Sequence, residues 1–275
     1  MSSKIKKLFS QIQNVPQIPE VIRVLIDQVN NPDIDLKEIA INVEKEPLIA
    51  VKVLRVVNSA YFGLPKKIDS ISDAVILLGL SKLRSLVIAS GIVSAVADIG
   101  DFDIKQFWIN SFRTASYAKW LACKTGADED VAFTAGLINE LGVVLIHLGL
   151  PEEAVKIEGL IVDGHSRAFV EKMRLDYTSQ EVSAELCRLW EFSDSLIIPI
   201  SQCESPLIAD SVSEMACIVC IAKYLSNSKQ TNSQQAQVIE NMPAEVVGKL
   251  KLTETFFEDN VDEVLSLESG LEGML

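Results

Sequence analysis

Residues 128–149, DEDVAFTAGLINELGVVLIHLG, are apolar nearly all round when wound as a helix. A helix with no polar face has to be enclosed by other elements, so this stretch predicts a central helix within a larger core. The rest of the chain supplies the enclosure. PEVIRVLIDQVNN (19–31) places Val21, Val24, Leu25 and Val29 on one stripe, with Pro19 in the first turn and Pro32 just beyond the end. DLKEIAINVEKE (35–46) opens on Asp35, with Glu38 placed for a capping box. PLIAVKVLRVVNSA (47–60) carries an Ala50, Val53, Leu54, Val57 stripe and is followed by a turn with Gly63 and Pro65 as breakers.

Further helices are expected over 70–79, with Ser70 and Asp73 as a capping box and Gly79 as the stop, over 81–97, and over 104–126, closed by Gly126. Others follow at 151–163, 166–176, 178–192 (capping box Thr178/Glu181), 193–200 and 211–227 (capping box Ser211/Glu214). The polar stretch SNSKQTNSQQAQ (226–237) reads as a loop, and short helices run from there to the end. No useful strand alternation interrupts this order, so the fold class is all-α. The polar link DIGDFD (98–103) marks the best subdomain boundary. It divides an N-terminal helical subdomain (1–100) from a helical core (101–210), with C-terminal helices and an acidic tail (211–275) packing on or extending that core.

The 275 residues are enough for one large domain or two small ones, and 48% hydrophobic with 23% charged is globular material. The N-terminus MSSKIKKLF is basic but lacks the apolar stretch of a secretory signal, and no apolar run is read as a membrane span. A cytoplasmic location is the default expectation. A net charge of −13, with no Lys or Arg at all in 253–275, argues against nucleic acid as a partner. Five cysteines, an odd number, argue against a disulfide framework. The Cys217-x-x-Cys220 pair lacks the second ligand pair of a structural zinc site and is read as core packing. Trp108, Trp120 and Trp190 fall on apolar stripes and are read the same way.

Two blocks carry a resemblance. One is VLRVVNSAYFGLPKKIDSISDAVILLGLSKLRSLV (53–87); the other is FWINSFRTASYAKWLA (107–122) followed by AFTAGLINELG (132–142). Together they resemble the HDOD family of HD-related output domains, over roughly residues 13–210. The resemblance implies an N-terminal helical bundle packed on a core related to the HD phosphohydrolases. It also implies a role in bacterial signal transduction or gene regulation.

HD phosphohydrolases hold divalent metal through a His on one helix, an adjacent His-Asp on the next, and a downstream Asp. The metal polarises phosphate and activates a bound water. At the positions that match, this chain has Asn110 for the first His and Asn139-Glu140 for the His-Asp pair. Downstream matches fall near Ser179 and near Cys203-Glu204. An amide cannot replace imidazole for zinc, iron or manganese, and one carboxylate makes no site. The chain has only two histidines, His147 and His165, and neither falls at a matching position. No metal or other cofactor is therefore expected.

The expected function is a non-catalytic regulatory module that works through contacts with signalling proteins. The alternative is a metal-dependent phosphohydrolase acting on a nucleotide or cyclic dinucleotide. A third reading keeps the old cleft, around Asn110, Arg113, Asn139 and Glu140, as a pocket for a small molecule or nucleotide. Glu140 needs a partner to be buried at all, and Arg113, one turn after Asn110, is a candidate. Asn58, Ser59 and Tyr61 are read as local capping groups, or alternatively as a recognition turn between the two helical units. With residues 1–12 and 211–275 too short or too acidic for a further signalling domain, input and output are expected from partners.

Overall fold

The computed structural model describes residues 3–27, 36–64, 66–96, 99, 102–209, 211–231, 233–253 and 255–275. Every regular element among them is helical, as the residue periodicity predicts. The N-terminal group is α1 (Ser3–Gln11), α2 (Glu20–Asp27), α3 (Leu36–Glu44), α4 (Pro47–Val57), α5 (Ile71–Leu78) and α6 (Leu80–Ala95). Helix α4 lies against α3, α5 and α6, and buries Ile49, Val53, Val56 and Val57 there. Val29, Pro32, Asp35, Pro65 and half of the DIGDFD link lie outside the described residues.

The long helix α7 (Ile104–Thr125) is closed by Gly126 at φ +75°, a left-handed conformation that suits glycine. It packs along α8 (Glu129–Ile138) and α14 (Glu214–Gln230), while α9 (Leu141–Gly149) packs on α12 (Ser179–Leu189) and on α1. Helices α10 (Pro151–Val162) and α11 (Arg167–Leu175) form a hairpin, and α13 (Asp194–Gln202) joins α12 to α14. Three short helices follow, α15 (Gln235–Glu240), α16 (Ala244–Lys249) and α17 (Phe256–Ser266). A final 3₁₀ turn, Glu272–Met274, returns to α4 and buries Leu271 and Met274 there. Trp108 and Trp190 are buried, whereas Trp120 is half-buried, with its indole N–H on Glu263 at 2.8 Å.

The structure corrects three expectations. First, 128–149 is not one helix but two, broken at Asn139-Glu140. The Asn139 side chain turns back onto the Gly136 carbonyl (2.7 Å), and the Gly142 amide goes across to Ser183 Oγ (2.7 Å). Both bonds draw on the helical ladder at that point. The run is long and apolar enough to cross a membrane, with mean hydropathy 1.8, but 83% of that window is buried inside the fold. Second, the cap of α14 is Ser213, whose hydroxyl accepts from the Ala216 amide, and not Ser211. Third, much of the expected 226–237 loop is helix, because α14 continues to Gln230 and buries Ser226 and Ser228. The Thr178/Glu181 box is present with both bonds, and Ser70 accepts from the Asp73 amide.

Candidate functional site

The break between α8 and α9 sets Asn139 and Glu140 side by side in opposite roles. Asn139 points inward, 2% exposed, and caps α8. Its amide nitrogen is used on Gly136, and its Oδ1 has no partner. Glu140 points toward α14. Its carboxylate lies 3.1 Å from Lys223 Nζ, and the same ammonium donates to Glu204 at 2.7 Å, in the turn after α13. The Lys223 side chain is 13% exposed. Burial works against charge on Glu140, but Lys223 and Arg167 outweigh it and hold the carboxyl below its ordinary value. Burial likewise opposes the Lys223 cation, and Glu140 and Glu204 overcome it, raising its pKa.

From Glu140 the charges continue to the hairpin. Arg167, on α11, donates to Glu158 (2.9 Å) and lies 3.6 Å from Glu171, which is almost wholly buried. Burial raises the Glu171 pKa, opposed by the Ser179 amide at 2.6 Å and by Arg167. His147 keeps its Nδ1 on the Val143 carbonyl (2.8 Å), with Nε2 3.7 Å from Glu158. Carboxylates and cations thus alternate from Glu204 through Lys223, Glu140 and Arg167 to Glu158 and Glu171. The cleft beside this chain, lined by Val143, Ile146, His147, Ile157, Arg167 and Glu171 among others, has no interior room for a water molecule.

The positions grouped by sequence are not all brought together. Asn110 faces Gln106, Arg113 and Gln230, accepting from the first two and donating to the third at 2.9 Å. The Asn110 side chain thus points to Gln230, seven residues from Lys223 on α14, while its carbonyl accepts from Ser226 (3.3 Å), one turn from that lysine. Arg113 therefore bonds Asn110, and the partners of Glu140 are Lys223 and Arg167. Neither Lys223 nor Arg167 stands out in the sequence, because each is one basic residue on an ordinary amphipathic helix. Ser179 and Cys203 are buried structural positions, and Cys203 donates to the Ile200 carbonyl. Cys217 is buried and Cys220 half-buried. Among the described residues no group of three or more His, Cys, Asp or Glu side chains could hold a metal. A divalent metal does not fit at the matching positions, since the neighbouring carboxylates Glu140 and Glu204 already share a lysine.

Asn58 ends α4 and is fully used. Its Nδ2 donates to the Leu54 and Ile68 carbonyls and its Oδ1 accepts from the Ile68 amide, each at 2.8 Å. Tyr61 is half exposed and reaches the Glu268 carbonyl (3.3 Å), while Ser59 Oγ is buried with no partner. Asn58→Ala removes the two bonds to Ile68 that hold the 59–68 loop, together with the bond back to Leu54, and is expected to cost about 1–3 kcal/mol. Urea unfolding, with limited proteolysis of that loop, would measure this.

The HDOD domain family model matches residues 15–206. The chain belongs to the HDOD family. An uncharacterized protein of Treponema pallidum (strain Nichols) is 28% identical over 190 residues, which is 68% of this chain and 37% of that protein. The HDOD chain therefore spans well under half the length of that relative. Among solved structures, the "Putative phosphohydrolase" of Shewanella amazonensis SB2B has a TM-score of 0.79 at 29% identity, covering 99% of this chain and 97% of the other. The "Putative signal transduction protein" of Marinobacter aquaeolei VT8 has a TM-score of 0.80 at 20% identity, over 99% of this chain and 65% of the other. The HDOD chain shares their helical fold.

Proposed function

We propose that this HDOD protein is a non-catalytic regulatory module that acts through contacts with other proteins. The observation that carries this reading is Lys223. Its ammonium lies against Glu140 and Glu204, so the polypeptide supplies the positive charge beside the one carboxylate left at the matching His-Asp positions. A phosphohydrolase would need that charge as an exchangeable metal with an open coordination position. Lys223 offers neither a Lewis acid nor a bound water.

The 29% identity to the Shewanella "Putative phosphohydrolase" favours the alternative, a metal-dependent hydrolase of a nucleotide or cyclic dinucleotide. One experiment separates the two. The purified chain is equilibrated with zinc, iron or manganese, dialysed, and assayed for metal content and for hydrolysis of a phosphomonoester and a cyclic dinucleotide. Less than stoichiometric metal and no turnover above a Glu140→Ala variant are expected. Stoichiometric metal, or saturable turnover lost in that variant, would overturn the non-catalytic reading. A small-molecule sensor would have to displace existing ion pairs, since Arg167 is engaged by Glu158 and Lys223 by Glu140 and Glu204.

A further inference from the structure

Helix α4 turns toward solvent a face that the core does not use. Leu48, Val51, Lys52 and Arg55 follow at i, i+3, i+4 and i+7, so they line one side of the helix. Leu48 is 75% exposed and Val51 65%. At the helix end, the bonds between Asn58 and Ile68 hold a loop that presents Lys66 and Lys67 to solvent. None of Lys52, Arg55, Lys66 and Lys67 has an ion-pair partner among the described residues. Burial, and Arg55 beside it, hold the Lys52 ammonium below its ordinary value.

This is a local inversion of the chain's charge. Residues 48–67 carry four Lys and Arg and no Asp or Glu, in a protein of net charge −13. An apolar strip continued by unpaired cations is complementary to a helix with an apolar side and flanking carboxylates. We propose that the α4 face docks an acidic amphipathic helix of a partner protein, apolar side over Leu48 and Val51, carboxylates over Lys52, Arg55, Lys66 and Lys67. This rests on the reading of the chain as a module that works through protein contacts. A second copy is a poor occupant. Its own acidic helix, α17, turns Phe257, Val261 and Val264 into its core, and Glu263 and Asp262 are already bonded to Trp120 and Gln235.

The test is a display library of short helical peptides, selected on the full chain and counter-selected on the Lys52→Glu/Arg55→Glu variant. Arg55 is exposed and Lys52 half-buried, so circular dichroism checks that the fold is kept, and Arg55→Glu with Lys66→Glu, both at exposed positions, gives the same test without touching Lys52. Enriched peptides are expected to be acidic with apolar residues at helical spacing, and to shift the NMR signals of residues 48–55 and 66–67. They should bind the variant about tenfold more weakly, and bind the wild type more weakly as salt rises. No enrichment, or peptides that are not acidic or that map elsewhere, would overturn the proposal. So would binding of phosphatidylglycerol vesicles in place of peptides through the same residues, or a dimer abolished by the two substitutions. Metal and hydrolysis assays on the same preparation keep the two readings apart. Docking with turnover removes only the non-catalytic reading, and neither docking nor turnover removes only the docking face.

Discussion

Lys223→Met is expected to destabilise the protein by about 2–3 kcal/mol, at or just below the lower limit for breaking a fully buried ion pair. The discount follows from exposure: the Glu140 and Glu204 side chains are 24% and 30% exposed, so water relieves part of their stranded charge. Thermal unfolding should fall by roughly 5–10 °C. The size of the loss should depend on pH. In the wild type the Glu140 pKa is lowered on folding, so its contribution is present above the ordinary value of 4.5 and is lost as pH falls through the folded value. Lys223 has a raised pKa, so its contribution is present below 10.5 and is lost as pH rises through the folded value. Between those limits the pair is at full strength. In the variant Glu140 loses the cation that lowers its pKa and takes up a proton more readily, so the gap to wild type should narrow as pH falls from 7 towards 4. Adding Glu140→Gln to Lys223→Met should recover part of the loss. A uniform deficit at all pH values, measured by thermal melts, would mean that Lys223 acts by packing alone. Millimolar manganese should raise the melting temperature of the variant more than that of the wild type, since removal of the lysine exposes two carboxylates to a cation.

The partnership of Lys223 with Glu140 is not legible in the sequence, and the reason is physical. Helix existence, caps and stops depend on residues a few positions apart. Thr178 with Glu181 and Gly126 are therefore legible and perform the predicted box and turn, while of the box expected at Ser70 and Asp73 only the bond to the Ser70 hydroxyl is made. The resemblance to HDOD domains is legible for the same reason, carried by contiguous blocks that fall within the matched 15–206. What fails are choices between equivalent local options, and anything decided by distant contacts. Ser211 and Ser213 are both good caps, and the chain uses the one in register with the buried face of α14. The break at Asn139-Glu140 is hidden because both halves are apolar. It is held by Ser183, on a helix that enters the chain much later. The need of Glu140 for a partner can be read from its apolar surroundings, but Arg113 is near in sequence terms only. Lys223 comes from a helix that the sequence places beyond the family-like region.

The same break explains how the chain holds these charged groups in place. Glu140 leaves α8 with φ −105° and ψ 8°, so its side chain swings out of the apolar interior toward α14. Asn139 remains inside as a cap. An unbroken helix would set the two side chains only about 100° apart on one wheel, within a segment where every face is buried. The turn separates the buried amide from the paired carboxylate.

What holds that turn is the approach of α9 to α12 at Gly142, and this gives the largest expected effect of any single methyl group. A Cβ at Gly142 would overlap the Ser179 carbonyl oxygen, with the carbonyl carbon at 2.7 Å and Val182 Cβ at 2.9 Å. The obstruction is backbone at the start of a helix capped on both sides, so it cannot rotate away as a side-chain tip would. Ser179 is also fixed by its amide bond to Glu171, and the Gly142 amide by Ser183. Gly142→Ala is thus expected to cost about 3 kcal/mol or more, the upper end for overpacking, and to lower the melting temperature by roughly 6–12 °C. Because α9 must move, the Lys223–Glu140 pair should loosen with it, and the acid sensitivity of the wild type should weaken in parallel. Gly159→Ala provides the contrast within the same protein. Gly159 sits within α10 with nothing within 4 Å of where an added methyl group would sit, so alanine there should be neutral or gain about 0.5–1 kcal/mol from the unfolded chain. Equal melting temperatures for Gly142→Ala and wild type would show that α9 and α12 are not locked at this point, and that Glu140 is positioned by α14 alone.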